Sequence, residues 1–448
     1  MKPILREWLD ELDRQGLMKH IHKTVSPLHE LAAVGKKLEP QYGAFFESVE
    51  GSSMPVVTGL VTSRESIAHS MGFTYPELVK RYTQALKDLT PCKEVPGAGL
   101  AVKEHILTGD QVDLGLLPAC VHHEKDGGRY LTAALCVTKD PETGVRNVAI
   151  HRHEIQDRNH LGALLLPRHT NQLFSRAEAQ GKPLEIALAI GVHPALLLAS
   201  QATTQLGVDE FEIGGTLLGE PVELTKCETV DIEVPVESEI ILEGRILPDV
   251  REPEGPFGEY PRTYGPKAPR QVIEITAMTF RSRPIYHTII PATMEHFLLG
   301  AVSREATMME VMRQATPNVK NVHITPGSGC RYHAVVQLDQ KYEGEAKNAM
   351  FAAFTSSTEI KHVVVVDPDI DIYDMQDVEW AVANRVQASR DVIIIPDAMG
   401  NKLDPSSRGG TSDKMGIDAT IPPLGDQERF QKIRIKDYDK IRLSDYLD

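Results

Sequence analysis

The first hundred residues carry the pattern of short helices. Apolar side chains recur every three or four positions at the start, and Gly16 is placed to end that helix. Ser26 stands before a proline as a helix cap, residues 62–65 match a capping box, and Pro76 opens a helix that runs to about Leu89. The apolar residues on one face of the first helix are Ile4, Leu5, Trp8, Leu9 and Leu12.

Residues 101–294 change to the alternating pattern of strands. Glycine and proline punctuate short β-branched runs, and helices are predicted only near residues 171–180 and 194–201. Successive strands without regular helices between them favour an antiparallel barrel or sandwich. The predicted strands cover residues 131–138, 145–150, 230–236, 272–280 and 286–290.

A long helix is predicted over residues 295–315, where Pro317 would end it, and it would connect the central region to a third one. Strands and helices then alternate between residues 332 and 395, which indicates an α/β domain. The last fifty residues have an irregular pattern. The predicted division of the chain is therefore into residues 1–100, 101–294, 295–318 and 319–448.

The composition is that of a globular protein. Of 448 residues, 41% are hydrophobic and 25% are charged, which supports a folded core and excludes intrinsic disorder. The formal net charge of −15 argues against a nucleic-acid partner and against binding to anionic lipid.

Cysteine usage and the N-terminus indicate a cytoplasmic protein. The five cysteines include no CxxC pair, so neither a disulfide framework nor a zinc knuckle is expected. The N-terminus lacks the apolar stretch of a secretory signal, and no run of about 18 apolar residues could span a membrane.

The most informative motif is Glu-Gly-Pro-Phe-Gly-Glu at residues 254–259. Its glycines and proline force a tight turn, which could bring the carboxylates of Glu254 and Glu259 together. Two close carboxylates cannot both ionise cheaply, so one can keep the proton that a general acid needs. An exposed acidic turn is the alternative interpretation.

A second motif covers residues 147–153. If this stretch is a strand, Asn147 and His151 share one face, and Arg152 lies on the other face with Ile150. An arginine beside a carboxylate would hold it ionised and oriented. An ordinary salt-bridging arginine is the alternative.

Candidate ligands for a metal and for a phosphate are more scattered. Asn147, His169 and Glu210 offer two oxygens and one nitrogen, a set that suits Mn²⁺ or Mg²⁺ better than a soft-ligand zinc site, although a lone histidine is more often structural. Small residues precede Lys414, and their backbone N–H groups could bind a phosphate beside its ammonium. A mobile surface loop is the alternative there. The chain has no GxGxxG or P-loop motif, which disfavours dinucleotide and P-loop chemistry.

Together these motifs resemble those of the UbiD-type decarboxylases, which use prenylated FMN. The resemblance implies an α+β fold, in which a central split β-barrel holds the flavin. An N-terminal α/β region and a C-terminal α/β domain, joined by a long helix, would flank it. The matching pieces, in the family's order, are Asn147, Arg152, and residues 167–169, 209–212, 226–229, 254–259 and 414–418.

The resemblance also assigns the cofactor site. Three residues match the family's ligands for a divalent metal, usually Mn²⁺, that bridges to the cofactor phosphate, and a nearby K⁺ is usual. Lys414 matches a phosphate-contacting lysine. Arg168 departs from the family, which often carries glutamine there, and with Ile150 it is expected near the cofactor. The residues that match the metal ligands are Asn147, His169 and Glu210.

For catalysis the resemblance implies an Arg-carboxylate-carboxylate network of Arg152, Glu254 and Glu259. The substrate carbon would bond to an electrophilic carbon of the flavin and lose CO₂, and Glu259 would then protonate it. The steps could run backwards at high CO₂. A flavin prenyltransferase would supply the cofactor, and the chain would form a homo-oligomer, with a hexamer favoured over a dimer.

The substrate is expected to be a small aromatic acid with a second carboxylate. His296 and Arg304 lie eight residues apart, about two helical turns, and Arg331 precedes the next strand. Arginine binds carboxylates well, and an apolar substrate would leave these charges unpaired. Interdomain salt bridges are the alternative role for these residues.

Within the family the pattern looks most like furan-2,5-dicarboxylate decarboxylases, which would yield 2-furoate. Pyrrole-2-carboxylate and phenolic acids remain alternative substrates. A flavin-binding assembly protein without turnover is the non-enzyme alternative, and the intact Arg152, Glu254 and Glu259 disfavour it.

Overall fold

The computed structural model of the protein describes residues 4–424 and 426–447. The chain divides into two compact units. The first comprises the chain up to Thr307 with Pro326–Arg331 and Lys402–Ser407, and the second comprises Met308–Thr325, Tyr332–Asn401 and the chain from Arg408. Both units contain helices and strands, so the mixed α and β class is confirmed.

The first unit begins with helices around a small sheet. The predicted apolar face of the first helix is confirmed, because Leu5, Trp8, Leu9 and Leu12 are buried. Three strands of this region form a sheet with the later strand Tyr286–His287. The helices are α1 (Leu5–Arg14), α2 (Glu30–Leu38), α3 (Arg64–His69) and α4 (Tyr75–Ala85), and the strands are β1 (Met18–Ile21), β2 (Gly43–Phe46) and β3 (Val56–Thr58).

Two helix starts differ from the prediction. The Ser26 hydroxyl accepts the Leu28 N–H at 3.3 Å in a local turn, and His29 has φ of 69°, so α2 begins only after it. The capping box of α3 uses Ser63 and Ser66, one residue beyond the predicted pair. The Ser63 hydroxyl accepts the Ser66 N–H, and the Ser66 hydroxyl accepts the Ser63 N–H, each at 3.0 Å.

A nine-stranded antiparallel sheet forms the centre of the first unit. Short additional strands and three helices surround it. The elements are β4 (Lys93–Glu94), β5 (His105–Thr108), β6 (Tyr130–Leu131), β7 (Leu135–Lys139), β8 (Arg146–Ile150), β9 (His153–Ile155), β10 (His160–Ala163), α5 (His169–Glu178), β11 (Leu184–Ile190), α6 (Pro194–Ala199), α7 (Glu210–Leu218), β12 (Glu223–Lys226), β13 (Glu233–Pro235), β14 (Ile240–Glu254), β15 (Phe257–Gly258), β16 (Tyr264–Gly265), β17 (Ala268–Phe280) and β18 (Tyr286–His287).

The strand order of this sheet is β6-β9-β10-β17-β14-β11-β7-β8, with β5 also paired to β17. Successive residues of β11 alternate between two apolar clusters. Ala187 and Ala189 belong to one cluster, and Ile186 and Leu188 belong to the other. Both faces of the sheet are therefore covered. The strand pattern missed β11 and β14. The second half of β14 is exposed, polar and interrupted by prolines, which disfavour a strand assignment.

The helix α8 (Met294–Ala315) contributes residues to both units, and the second unit is built on a five-stranded sheet. Its strand order is β19-β20-β21-β23-β22. The elements are β19 (Val319–Ile324), β20 (His333–Leu338), α9 (Glu345–Ser356), β21 (His362–Val366), α10 (Met375–Arg385), α11 (Ala388–Asp391), β22 (Val392–Met399) and β23 (Thr411–Ala419).

The strand β23 corrects the prediction that the last fifty residues are irregular. It lies between β21 and β22 in the sheet. Apolar residues alternate only in its second half, at Met415, Ile417 and Ala419, whereas the buried positions of its first half are the polar Ser412 and Lys414, which do not indicate a strand. Gly416 leaves room for Met350, whose sulfur would lie 2.5 Å from a Cβ there.

No helix among residues 4–424 and 426–447 is long and apolar enough to cross a bilayer. All five cysteines are free thiols, and Cys120, Cys136 and Cys330 are buried.

Candidate active site

The 254–259 motif folds into a buried turn that faces Arg152. The Arg152 guanidinium donates to Glu254 Oε2 at 2.7 Å, and its other terminal nitrogen donates to Glu259 Oε1. Glu254 is fully buried and Glu259 is 9% exposed. The alternative of an exposed acidic turn is therefore wrong, and one cation bridges two carboxylates.

The glycines of the motif explain why the chain can fold this way. Gly255 has φ of 93°, a conformation that side chains with a Cβ rarely adopt. After it, β15 and β16 pair, so that Gly265 lies against the site. A Cβ on Gly265 would lie 3.1 Å from the Arg152 guanidinium. The ring of Phe257 packs 5.1 Å from that guanidinium on another side.

The environment of Glu259 raises its pKa. Burial raises the pKa of Glu259, the Arg152 charge lowers it, the Glu254 charge raises it further, and the net pKa lies above the ordinary value. Burial opposes the charge on Arg152, but the two carboxylates outweigh it and raise the pKa of Arg152. Glu259 can thus hold a proton beside a permanently charged arginine.

Two further residues of this network were missed by the sequence analysis. The Tyr130 hydroxyl lies 3.0 Å from Glu254 Oε1 and 3.1 Å from Glu154 Oε2. The Gly255 N–H also donates to Glu154 Oε2, at 2.8 Å. Glu154 lies two residues after Arg152 on β9, but only the pairing of β6 with β9 reveals its link to Tyr130.

Two of the predicted metal ligands, Asn147 and Glu210, are linked through β8, and the third, His169, precedes a residue that contacts it. The Asn147 amide donates to the Thr170 hydroxyl at 3.0 Å, and Thr170 follows His169 at the start of α5. The backbone N–H of Val148 donates to Glu210 Oε2 at 2.7 Å at the start of α7. The strand β8 thus carries Asn147 and contacts Glu210, and it reaches the residue that follows His169.

The chemistry of these groups fits a divalent cation. Glu210 is 3% exposed, and burial raises its pKa to about 8, so a cation would relieve an unfavourable buried charge. Burial, and then the charge of Arg168, lowers the pKa of His169, which favours the neutral imidazole that binds metals. Among the described residues, no three His, Cys, Asp or Glu side chains cluster as metal ligands. An ion here would therefore need the Asn147 amide and ligands from outside the protein.

The other predicted cofactor residues are less enclosed or lie elsewhere. Ile150 is half-buried at the end of β8, and Arg168 is exposed at the N-terminus of α5. Lys414 lies in the second unit on β23, where its ammonium donates to the carbonyl groups of Thr358 and Ile360 at 3.1 and 2.6 Å. The mobile-loop alternative for Lys414 is therefore wrong, because the lysine is buried on a strand.

The predicted substrate residues lie together in the first unit. Arg304 donates to the carbonyl of Gly300 at 2.8 Å, one turn earlier on α8. A Cβ on Gly300 would lie 2.5 Å from an Arg331 nitrogen and 3.0 Å from an Arg304 nitrogen. The two guanidinium groups therefore converge on this glycine. His296 lies one turn before it, and burial, followed by the two arginine charges, lowers the pKa of His296 to about 3.

Tyr260 connects this group to the carboxylate network. The Arg331 guanidinium stacks on the Tyr260 ring at 4.7 Å, and the His296 ring lies 6.3 Å from it. Tyr260 follows Glu259 directly, and the charge of Arg331 lowers the pKa of Glu259. Glu259 and two convergent cations therefore lie in one neighbourhood.

Three sequence families match most of the chain. They describe the 3-octaprenyl-4-hydroxybenzoate carboxy-lyase (UbiD) N-terminal domain over residues 9–86, its Rift-related domain over residues 93–294 and its C-terminal domain over residues 297–419.

Individual relatives cover nearly the whole chain. The anhydromevalonate phosphate decarboxylase of Methanothermobacter thermautotrophicus is 38% identical over 430 residues, which are 96% of this chain and 99% of that protein. The UbiD-class enzyme HmfF from Pelotomaculum thermopropionicum, in complex with FMN, is 57% identical with a TM-score of 0.98, over 99% of this chain and 100% of that one. An evolved dimeric form of HmfF in complex with prFMN is 53% identical with a TM-score of 0.93, over 100% of both chains.

Proposed function

The chain belongs to the UbiD family of carboxy-lyases, and we propose that it uses prenylated FMN to convert furan-2,5-dicarboxylate to 2-furoate and CO₂. The observation that carries the proposal is the bridge from Arg152 to two buried carboxylates, one of which has a raised pKa. A carboxyl group that stays protonated is what the final step of a decarboxylation needs.

The roles of the residues follow from their contacts. Bound prenylated FMN supplies an electrophilic carbon and an electron sink for the loss of CO₂. Glu259 then gives its proton to the carbon that carried the carboxylate. The Arg152 guanidinium stabilises the Glu259 carboxylate left behind, and Glu254 orients that guanidinium.

The cofactor is held through its phosphate. Asn147, His169 and Glu210 would hold a divalent ion, Mn²⁺ in the first instance, which would offset the negative charge of the phosphate, and K⁺ is proposed as a second ion. The buried carboxylate of Glu210 supports the divalent ion, and the FMN and prFMN complexes of HmfF support the flavin cofactor. Ile150 and Arg168 are the further proposed cofactor contacts, whereas the Lys414 ammonium is engaged by the carbonyl groups of Thr358 and Ile360 in the second unit. A flavin prenyltransferase is the proposed supplier of the cofactor.

The convergent arginines support a dicarboxylate substrate. Arg304 and Arg331 approach one point on α8, where a retained carboxylate would bind both. His296 has a lowered pKa and would therefore add a neutral hydrogen-bonding group. The second carboxylate would thereby hold the furan ring beside Glu259.

A phosphorylated acid is the second candidate substrate. The 38% identity to anhydromevalonate phosphate decarboxylase over nearly the whole chain favours it, and two arginines suit a phosphate as well as a carboxylate. Pyrrole-2-carboxylate and phenolic acids are further aromatic alternatives. Membership of a carboxy-lyase family disfavours the assembly protein without turnover. A hexamer in the cytoplasm remains the proposed state of the protein.

The test is a substrate comparison with protein produced alongside a flavin prenyltransferase. Furan-2,5-dicarboxylate, pyrrole-2-carboxylate, protocatechuate and anhydromevalonate phosphate are each supplied, and products are separated by chromatography. Formation of 2-furoate at the highest kcat/KM supports the proposal. A higher kcat/KM for a monocarboxylate or for the phosphorylated acid would contradict the dicarboxylate as substrate but would still support a decarboxylase.

A further inference from the structure

A row of three directly paired residues crosses the edge of the nine-stranded sheet. Tyr130 on β6 pairs with Glu154 on β9, and Glu154 pairs with Gly162 on β10. Directly paired residues place their side chains on the same face of a sheet. The pairing thus sets Tyr130 beside Glu154, and it leaves a gap over Gly162 because this residue has no side chain.

Glu254 and Gln156 occupy that gap. A Cβ on Gly162 would lie 2.6 Å from Gln156 Nε2 and 3.3 Å from the Cβ and Cγ atoms of Glu254, so a side chain at this position would crowd both residues. Gly127 and Gly128 make room for the other acid in the same way, since a Cβ on either would lie 2.9 Å from Glu154 Oε1. Glycines thus lie beside both Glu154 and Glu254, the two carboxylates that contact Tyr130.

The Tyr130 hydroxyl has one proton and two acidic neighbours. Its oxygen lies at nearly equal distances from Glu254 Oε1 and Glu154 Oε2, 3.0 and 3.1 Å. Tyr130 and Glu254 are fully buried and Glu154 is 8% exposed. If both acids were ionised, one hydroxyl could fully satisfy only one of them, and the two charges would repel each other in a poorly solvated site.

We propose that Glu154 is a positioning residue that shares one proton with Glu254 through the Tyr130 hydroxyl, and so controls the charge beside Arg152. The inference deepens the proposed function, because Arg152 links Glu254 to the proton donor Glu259. In the transfer, the O–H bond of Glu154 breaks as its proton joins Tyr130, and the proton of Tyr130 joins Glu254. Glu154 becomes a carboxylate, Glu254 becomes neutral, and Tyr130 is unchanged.

The charges that face the pair agree with a shared proton. Burial raises the pKa of Glu154, the Gly255 and Tyr130 hydrogen bonds lower it, and Glu254 raises it, so that the net pKa lies above the ordinary value. Lys267 is the cation that acts on Glu154, whereas Arg152 contacts Glu254. The Glu254 charge also raises the pKa of Glu259. The position of the shared proton therefore changes how firmly Glu259 holds its own.

The first test needs neither cofactor nor turnover. Infrared spectra of the cofactor-free protein are recorded across pH, and the C=O band of protonated carboxyl groups is compared between wild type and Glu154→Gln. We expect the variant to lose a band that persists in the wild type above the ordinary pKa range of glutamate. In Tyr130→Phe we expect the band to remain and to disappear only at a higher pH than in the wild type. The reason is that the Tyr130 hydrogen bond lowers the pKa of Glu154.

The second test uses the loaded enzyme. Glu154→Gln leaves Glu254 with its full charge, so the basic limb of the kcat profile moves to higher pH. We expect kcat at the optimum to fall by less than about tenfold with KM unchanged. Glu142→Gln, which replaces an exposed carboxylate on a turn, serves as the matched control and should change neither readout.

An unchanged infrared titration in Glu154→Gln and Tyr130→Phe would overturn the proposal. So would a kcat profile in Glu154→Gln that coincides with that of the wild type. If the loaded protein converts none of the acids, the proposed function fails, but the infrared titration of the cofactor-free protein still decides the inference.

Discussion

Two arginines, one at the first residue of β8 and one two residues after its end, each join two buried carboxylates, yet their surroundings differ. Arg146 donates to Asp209 at 2.8 Å and to Glu233 at 2.7 Å, and Lys139 adds a second cation at 2.9 Å from Glu233. At the other end, Arg152 bridges Glu254 and Glu259, and Tyr130 connects Glu254 to the further acid Glu154.

The pKa of Glu233, which contacts two cations, shifts in the opposite direction to the pKa of Glu259, which contacts Arg152. Burial opposes ionisation of Glu233, but Lys139 and Arg146 outweigh it, and the pKa of Glu233 falls below its ordinary value. For Glu259 burial prevails over Arg152, and its pKa rises. The same residue types thus form a balanced ion network at one end of β8 and a site with surplus negative charge at the other. Asp209, the other carboxylate of the Arg146 network, also has a raised pKa because burial outweighs the Arg146 charge, so the link from Arg152 through Glu254 to Tyr130 and Glu154 is what distinguishes the second site.

The largest expected effect is the loss of turnover in Glu259→Gln. The amide keeps the shape of the side chain but has no acidic proton, so kcat should fall by about 10²- to 10⁴-fold. Flavin absorbance of the purified protein should be unchanged, because Glu259 is not a proposed cofactor ligand. In the balanced network, Glu233→Gln should keep kcat within about tenfold. Full activity of Glu259→Gln would refute its assignment as the proton donor.

Replacing Arg146 and Arg152 one at a time should distinguish a role in stability from a role in turnover. Breaking a buried ion pair from one side costs about 3–5 kcal/mol, so Arg146→Met and Arg152→Met should both lower the free energy of unfolding. Denaturant titration measures that loss. Only Arg152→Met should also lose turnover per bound cofactor by about 100-fold or more. Equal turnover in the two variants would mean that both ends of β8 are structural.

Loss of Arg304 should change substrate preference more than overall activity. A hydrogen bond to a charged group contributes about 1.5–3 kcal/mol, so Arg304→Ala should lower kcat/KM for furan-2,5-dicarboxylate by about 10- to 100-fold. Turnover of pyrrole-2-carboxylate, which has no second carboxylate, is the internal reference. An equal loss for both acids would contradict a role in binding the second carboxylate.

The smallest expected effect is a shift in pH dependence. Turnover needs protonated Glu259, so the rate is full below its raised pKa and is lost as pH rises through it. The Glu254 charge contributes to that elevation. Glu254→Gln should therefore lower the pKa of Glu259 and move the basic limb of kcat to lower pH. A shift to higher pH would contradict the electrostatic coupling between the two carboxylates.

Local sequence patterns predicted much of the fold, but not the pairing of distant strands. The β8 strand, α8 and the α/β alternation after it were visible in short stretches of apolar periodicity. The polar half of β14 and the polar first half of β23 were missed, because pairing with their neighbours in the sheet, not apolar alternation of their own residues, makes them strands.

The candidate site shows the same limit. Glu254, Glu259 and Arg152 were found because glycine and proline mark their turn and a family resemblance joins them. Tyr130 and Glu154 were missed, since only the register between β6 and β9 sets them side by side. The convergence of Arg304 and Arg331 on Gly300 likewise depends on a tertiary contact that spacing along α8 cannot reveal.

The most direct test of the central claim follows the proton itself. The loaded wild type and Glu259→Gln are incubated with 2-furoate in deuterated water, and deuterium at the ring carbon that would carry the lost carboxylate is measured by mass spectrometry. The account predicts steady incorporation by the wild type and none above background by the variant. Incorporation by Glu259→Gln at the wild-type rate would show that the proton comes from another group.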